Sequence, residues 1–332
     1  MRDVAALAGV SLKTVSRVIN RESGVSPEVV ARVDDAAAQL DYRPDMNASN
    51  LRRSDGRTGT VGLLLEDVAN EFSAAAHAGV EYAARQRGIA VLASSTLGDS
   101  ERERGLVRAL SLRRVDGLIV APCPGDQGYL AAELAQGVPV VFIDRPGRGL
   151  SAPSVVSDNM VGARRGVEHL LTLGHRSIAF LGGISAVATA QERFGGYTAA
   201  LAAAGVPSAD QTIVRDIGSI DMAAGVAGAI LDGPDRPTAI FSAQNQITMG
   251  VVRALRKRGL QHQIALIGFD DFTLADLLDP GVAVVAQDPR AIGERALQVL
   301  VDAMEESVDG ATSEILVPTT LIIRPSGEIR PE

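Results

Sequence analysis

The chain has 332 residues, 46% of them hydrophobic and 22% charged, which is ordinary for a soluble globular protein and long enough for two or three domains. No apolar run approaches the roughly 20 residues of a membrane helix, the opening MRDVAALAGVS lacks a secretory signal's order, and one cysteine, Cys123, excludes an internal disulfide. The net charge of −8 is uneven: residues 1–57 hold nine Lys/Arg against eight Asp/Glu (+1), and residues 58–332 hold 23 against 32 (−9).

From Met1 to about Asp45 the pattern is helical, with no strand-like run. Val4, Leu7 and Ala8 predict a first helix with one apolar face. Gly9 then turns the chain, and Ser11 caps a second helix whose buried stripe is Val15, Val18 and Ile19. Two short helices joined by a glycine-containing turn describe a helix-turn-helix. A third helix opens with Ser26 as N-cap, Pro27 and Glu28, and its Val29, Val33, Ala37 and Leu40 can cover the first pair. Lys13, Thr14, Ser16, Arg17 and Asn20 are left on the other faces of the second helix. Such residues neutralise or hydrogen-bond phosphates, and arginine can read guanine. Any three-helix unit of this size shows surface polar residues, so periodicity alone leaves DNA binding and a plain helical unit both open. Residues 46–59, rich in Asn, Ser and Arg, read as a linker.

From Thr58 onward β-branched runs alternate with Ala-rich amphipathic stretches, as in βα units with a parallel sheet. The runs predict strands over 60–65, 90–94, 117–121, 138–143, 177–181, 238–241 and 264–268. Most are continuously apolar, as strands covered on both faces must be. Helices are predicted over 72–86, 162–173, 193–204 and 248–258, and Gly88, Gly137, Gly174, Gly205 and Gly259 each follow a helical stretch. Residues 315–324, interrupted by Pro318, read as an edge strand or connecting segment. There is no G-x-G-x-x-G after a strand, no Walker A, no G-x-S-x-G and no metal motif, so no catalytic residue, cofactor or metal is expected. A (β/α)₈ barrel fits the length of this part but leaves the N-terminal helices unexplained.

DVAALAGVSLKTVSRVIN followed by VSPEVVARVDDAAAQLDYRP closely resembles the headpiece of the LacI/GalR (lac repressor) family of transcriptional regulators. The resemblance continues through ASNLRR, VGLLLEDVANEF, DGLIVA, VFIDRP, VVSDN, HLLTLGHRSIAFLGG, ERFGGYTAAL, RPTAIFSA and LIGFDD, almost the whole chain. It implies that Leu12, Lys13 and Arg17 read bases, and that Ser11, Thr14, Ser16 and Asn20 position phosphates. It also implies a hinge helix over 47–52, with Asn47 in the minor groove and Leu51 as the wedge that kinks the duplex. Two departures stand out. Only Met1 and Arg2 precede Asp3, so the first helix lacks the family's capping Ser or Thr; the expectation is a start further upstream or a looser first helix. Ser49 stands where an arginine is common.

For the larger part the resemblance implies two doubly wound subdomains around a ligand cleft at the carboxyl ends of their strands. Asp67, Asn70 and Phe72 match the family's D-x-x-N-x-F loop, with Ser73 where a second aromatic is frequent. Arg193 matches an arginine that grips a hydroxyl or carboxylate, and Asn245 and Asp270 match strand-end hydrogen-bonding positions. Asp144 and Arg145 line or brace the same cleft. Plainer roles stand beside these: Arg193 pairing with Glu192, Asn245 capping a helix, Phe72 as core. Of Asp270 and Asp271, Asp270 is taken as the inward residue. His77, His169 and His175 are read as structural, and Cys123 has no partner base.

The expected protein is a small all-α helix-turn-helix headpiece (1–45), a hinge (46–57) and an α/β periplasmic-binding-protein-like sensor (58–332). The sensor has two doubly wound parallel-sheet subdomains, with the chain crossing near 158 and 287. Its expected function is a ligand-responsive DNA-binding repressor, cytoplasmic and nucleoid-associated when bound. It would act as a homodimer on a palindromic double-stranded operator, under a sugar or sugar-derived effector. RPSGEIRPE at the C-terminus cannot form a leucine heptad, so a dimer is expected over a tetramer. The alternative is a cytoplasmic solute-binding protein with a non-functional headpiece.

Overall fold

The computed structural model describes residues 1–19, 22–42, 57–305 and 313–331. The chain divides into two units, Met1–Thr58 and Gly59–Glu332. In the first, α1 (Arg2–Ala8), α2 (Leu12–Ile19) and α3 (Pro27–Gln39) close over Val4, Ala5, Ala8, Val15, Val18, Val33 and Ala36. Gly9 ends α1 in the left-handed region at φ 63°, a conformation that costs glycine nothing. Two expected core positions are corrected: Leu7 is 51% and Leu40 is 44% exposed, and Ala5 and Ala36 are buried in their stead. The buried stripe of α1 therefore runs through positions 4, 5 and 8, about 40° to 100° from Val4 around the helix.

The second unit holds two six-stranded sheets. The strands of the first are β1 (Thr60–Leu65), β2 (Ala90–Ser95), β3 (Gly117–Val120), β4 (Val140–Asp144), β5 (Ser154–Ser157) and β11 (Glu314–Val317), in the order β11-β5-β4-β3-β1-β2. The second contains β6 (Ile178–Leu181), β7 (Ile213–Val214), β8 (Ala239–Ser242), β9 (Ala265–Phe269), β10 (Ala283–Ala286) and β12 (Thr320–Ile322), in the order β12-β10-β9-β8-β6-β7. Among the described residues every pairing is parallel except that of β10 with β12. The inner strands are buried along nearly all of their length because helices cover both faces, whereas the edge strand β2 is exposed or half-buried at every position.

The flanking helices are α4 (Glu71–Arg85), α5 (Ser100–Leu112), α6 (Ala131–Ala135), α7 (Asn159–Thr172), α8 (Ala188–Ala203), α9 (Ile220–Asp232), α10 (Asn245–Arg258) and α11 (Pro289–Glu305). The chain passes between the sheets near residue 158, near residue 287 and a third time between β11 and β12, a passage beyond the two expected from the sequence. Residues 315–324 thus serve as an edge strand for each sheet in turn. The first and third passages are tied together where Thr319 N donates to Asp158 Oδ1 at 2.6 Å. Among the described residues, no helix is long and apolar enough to cross a membrane.

Helices α4 and α11 cross at a reciprocal glycine contact. A Cβ on Gly79 would stand 2.2 Å from the Arg290 carbonyl oxygen, and one on Gly293 would stand 2.1 Å from that of Ala76. Backbone atoms cannot swing aside as a side chain can, so overpacking here forces the helices apart. Gly293→Ala is expected to cost about 1–3 kcal/mol. Differential scanning calorimetry should show a lower melting temperature; an unchanged one would mean the crossing is more plastic than its geometry states.

Two of the histidines hold the C-terminal segment. His169 Nε2 lies 3.0 Å from the Gly327 carbonyl and 2.9 Å from Glu328 Oε1. The buried His175 donates from Nε2 to the Ile329 carbonyl at 2.9 Å, and its Nδ1 lies 2.8 Å from the Thr238 hydroxyl. Burial lowers the His175 imidazole from its ordinary 6.5, with the Ile329 carbonyl opposing only in part. The folded protein then takes this proton less readily than the unfolded chain does, so the stability held by neutral His175 is complete above 6.5 and is lost as pH falls below it. His175→Gln should melt below the parent at pH 8, with the gap narrowing between pH 6.5 and 5. A gap independent of pH would show that His175 is not held neutral.

Candidate functional site

The carboxyl ends of both sheets face a cavity of about 270 Å³. Its walls form where strands stop, because the turn after each strand releases one polar side chain from the sheet. From the first subdomain come Glu66 and Asp67 after β1, then Asn70, Phe72 and Ser73 at the start of α4, and Asp144 and Arg145 at the end of β4. From the second come Arg193 on α8, Asn245 opening α10, Asp270 after β9 and Gln287 after β10. All eight sensor residues singled out from the sequence, Asp67, Asn70, Phe72, Ser73, Asp144, Arg193, Asn245 and Asp270, line this one cavity.

Asp144 and Asp270 occupy matching places in the two sheets, at the ends of β4 and β9, and both are left-handed, at φ 67° and 69°. Aspartate tolerates that region at a modest cost, and the bend turns each carboxylate out of its sheet. Arg193 approaches Asp270 at 3.5 Å, donates from Nη1 to the Ala243 carbonyl at 2.8 Å and from Nε to Asn159 Oδ1 at 2.9 Å, and lies 3.9 Å over the Phe269 ring. It does not pair with Glu192, which instead accepts from Asn159 Nδ2 at 3.0 Å. Asp271 points elsewhere and holds Arg324 through two bonds of 2.7 and 2.8 Å.

On the opposite wall Arg145 is nearly buried. It donates to the Pro122 carbonyl at 2.7 Å and to Glu66 at 2.6 Å, and stands 3.2 Å from Asp144. Burial raises the Asp144 carboxyl above its usual range, against the pull of Arg145 and Arg193. Two bonds join the subdomains at the mouth: Asn70 Nδ2 reaches Asn245 Oδ1 at 3.5 Å, and Thr273 N donates to Glu71 Oε2 at 2.8 Å. Asn70 also caps α4 by accepting from Phe72 N at 2.9 Å. Asn245 combines its place in the cavity with a bond from Gln246 N at 2.8 Å. Phe72 packs on the first subdomain's core and presents part of its surface to the cavity.

Three contributors are not singled out by the sequence. Gln287 donates to Asp270 Oδ1 at 2.5 Å, while its Oε1 is buried and accepts nothing among the described residues. Asn159, within VVSDN, orients Arg193 from the first passage between sheets. Glu66 sits beside Asp67 in LLLEDVAN and neutralises Arg145. Glu66 and Gln287 directly follow strands β1 and β10, whereas Asn159 opens the helix that begins two residues after β5. Cys123 lies outside the lining; burial, with Glu103 beside it, pushes its thiol up to about 11, which favours the protonated form at neutral pH. Among the described residues, no group of three or more His, Cys, Asp or Glu is arranged to hold a metal ion.

In the N-terminal unit, Ser11 Oγ accepts from Thr14 N at 3.1 Å and so caps α2. Leu12, 46% exposed, and Lys13 stand out at the start of this helix. Thr14 and Ser16 are half-buried. Arg17 is half-buried too, donating to the Ser23 carbonyl at 2.6 Å and lying 3.5 Å from Glu22, so reading a base requires it to exchange these bonds. Asn20, Asn47 and Leu51 lie outside the described residues.

Residues 1–45 match the model of bacterial regulatory proteins of the lacI family, and residues 167–326 match that of the periplasmic binding protein-like domain. The chain is similar to the ribose operon repressor of Haemophilus influenzae, at 31% identity over 97% of each chain. Among solved structures it is similar to the lac repressor dimer bound to operator and the anti-inducer ONPF, at 28% identity over 98% of each chain with a TM-score of 0.86. It is also similar to a putative ribose operon repressor from Burkholderia thailandensis, at 36% identity over 80% of this chain and 99% of that one, with a TM-score of 0.72.

Proposed function

The chain belongs to the lacI family of bacterial regulatory proteins and is a DNA-binding transcriptional regulator, and from that premise we propose that it is a homodimeric repressor whose hold on a palindromic operator is set by a sugar-like effector in the cavity. One headpiece buries too little surface for tight specific binding, so two must act together on symmetric half-sites. Leu12, Lys13 and Arg17 read bases; Ser11, Thr14, Ser16 and Asn20 fix the phosphate backbone. Residues 46–57 form the hinge, with Asn47 and Leu51 in the minor groove. The protein works in the cytoplasm and on the nucleoid.

The observation that supports the effector role is the convergence of both subdomains on one cavity. Asp144 and Asn70 stand on one wall, Arg193 and Asp270 on the other, so a small ligand touching both changes the angle between the sheets. In a dimer that angle sets the spacing of the two hinges. Effector and operator are then coupled, and each alters the other's affinity by the same factor. The relatives named as ribose operon repressors make D-ribose the first sugar to try.

The test is a calorimetric titration of the full chain with D-ribose, D-glucose and D-galactose. An operator duplex is then titrated with and without the sugar that binds. A change in operator affinity is expected; identical affinities would remove the coupling.

A further inference from the structure

We infer that the cavity selects an uncharged polyhydroxylated ligand against its acid and phosphate forms, and that Glu66 is the residue that enforces this; the inference rests on the effector reading of the same cavity. The lining carries four carboxylates, Glu66, Asp67, Asp144 and Asp270, against two guanidinium groups, Arg145 and Arg193. Even with Asp144 protonated, the acids outnumber the bases. Neither arginine has charge to spare. Arg145 is held by Glu66 at 2.6 Å, by Asp144 at 3.2 Å and by the Pro122 carbonyl at 2.7 Å. Arg193 is held by Asp270, Asn159 and the Ala243 carbonyl, with its flat face on Phe269. An anion entering here meets like charge with no unopposed cation to receive it.

Gln287 supplies a separate sign. Its amide nitrogen is committed to Asp270, which leaves Oε1 turned out of that bond, buried and without a donor among the described residues. A buried acceptor of this kind calls for a donor from the ligand. A hydroxyl is such a donor, and an ionised carboxylate or phosphate oxygen is not. Among the described lining residues Phe72 is the only aromatic. The Phe269 face is covered by Arg193, so a planar base has no pair of rings to enter.

Glu66 is the removable part of this arrangement. Its side chain is half exposed and bonds to Arg145 through one oxygen, Oε2. Glu66→Gln takes away one negative charge and leaves Arg145 Nη2 facing a neutral amide in place of a carboxylate, with the volume almost unchanged.

The experiment is calorimetry on the full chain with matched probes: D-ribose, D-ribonate and D-ribose 5-phosphate, then the corresponding forms of D-galactose, then adenine. The native protein is expected to bind one parent sugar at least about a hundredfold more tightly than its acid or phosphate. In Glu66→Gln, the ratio of acid to parent affinity should rise at least about tenfold. Binding of an acid or phosphate as tight as the parent, binding of adenine alone, or an unchanged ratio in Glu66→Gln would each overturn the inference while leaving an effector site. No binding by any probe would overturn the effector reading itself. Should the variant fail to melt cooperatively, the comparison on the native protein still decides.

Discussion

Arg193→Ala is expected to abolish the effector response while leaving operator binding in place. The guanidinium is buried and joins four partners: Asp270, Asn159, the Ala243 carbonyl and the face of Phe269. Its removal leaves Asp270 buried with only the Gln287 amide, and breaking such a pair costs about 3–5 kcal/mol because the surviving charge is uncompensated. Part of that cost falls on folding, so the melting temperature should drop. The rest falls on the ligand, whose affinity is expected to fall by about a hundredfold or more. Arg193→Lys should rescue little, since an ammonium cannot make the same bonds and lie flat on a ring. The readouts are calorimetry with the sugar that binds the native protein and operator affinity with and without it. A normal response in Arg193→Ala would place the effector elsewhere.

Leu51→Ala should produce the reverse pattern: operator affinity falls by about tenfold or more, and effector affinity stays as it was. Leu51 lies outside the described residues, and the expectation rests on the wedge role that its place between Asn50 and Arg52 carries over from the family. An apolar side chain between two base pairs unstacks them, at a cost repaid by the contacts that the bent duplex allows. Alanine is too short to hold the kink, so the site loses those contacts. Mobility-shift titration would show it, and equal affinity of the variant and native protein would end the wedge hypothesis.

Much of the fold is legible in the sequence because both sheets are covered on both faces. Strands such as Thr60–Leu65 read as unbroken apolar runs, and the helices between them end in glycines that the structure finds left-handed, Gly88 and Gly259 among them. Legibility fails where tertiary context supplies the burial. Ser154–Ser157 is buried in full although it begins and ends in serine, and Ile213–Val214 is too short for any period. Ser100–Leu112 opens on a run of charges that hides its apolar stripe, Val107 and Leu110. In the N-terminal unit the periodicity locates α1 and places Val4 and Ala8 on its buried face but takes Leu7 where Ala5 is buried, since a seven-residue helix offers only two turns from which to choose.

The cavity divides in the same way. Residues belonging to family motifs, such as Asp67 and Asp270, are legible from those motifs alone. Gln287 and Asn159 are not, because their parts depend on side chains distant in sequence: Asp270 for one, Arg193 for the other.

The central claim is that this chain reads a specific DNA sequence as a symmetric pair. The most direct measurement is selection of random double-stranded DNA by the full-length purified protein at one stated moderate salt concentration, because phosphate contacts make affinity depend on salt. Enrichment of a palindrome, with half-sites centred about one helical turn apart, is the predicted result. A pool that stays random through successive rounds, both alone and with the sugar that binds the cavity, would contradict it.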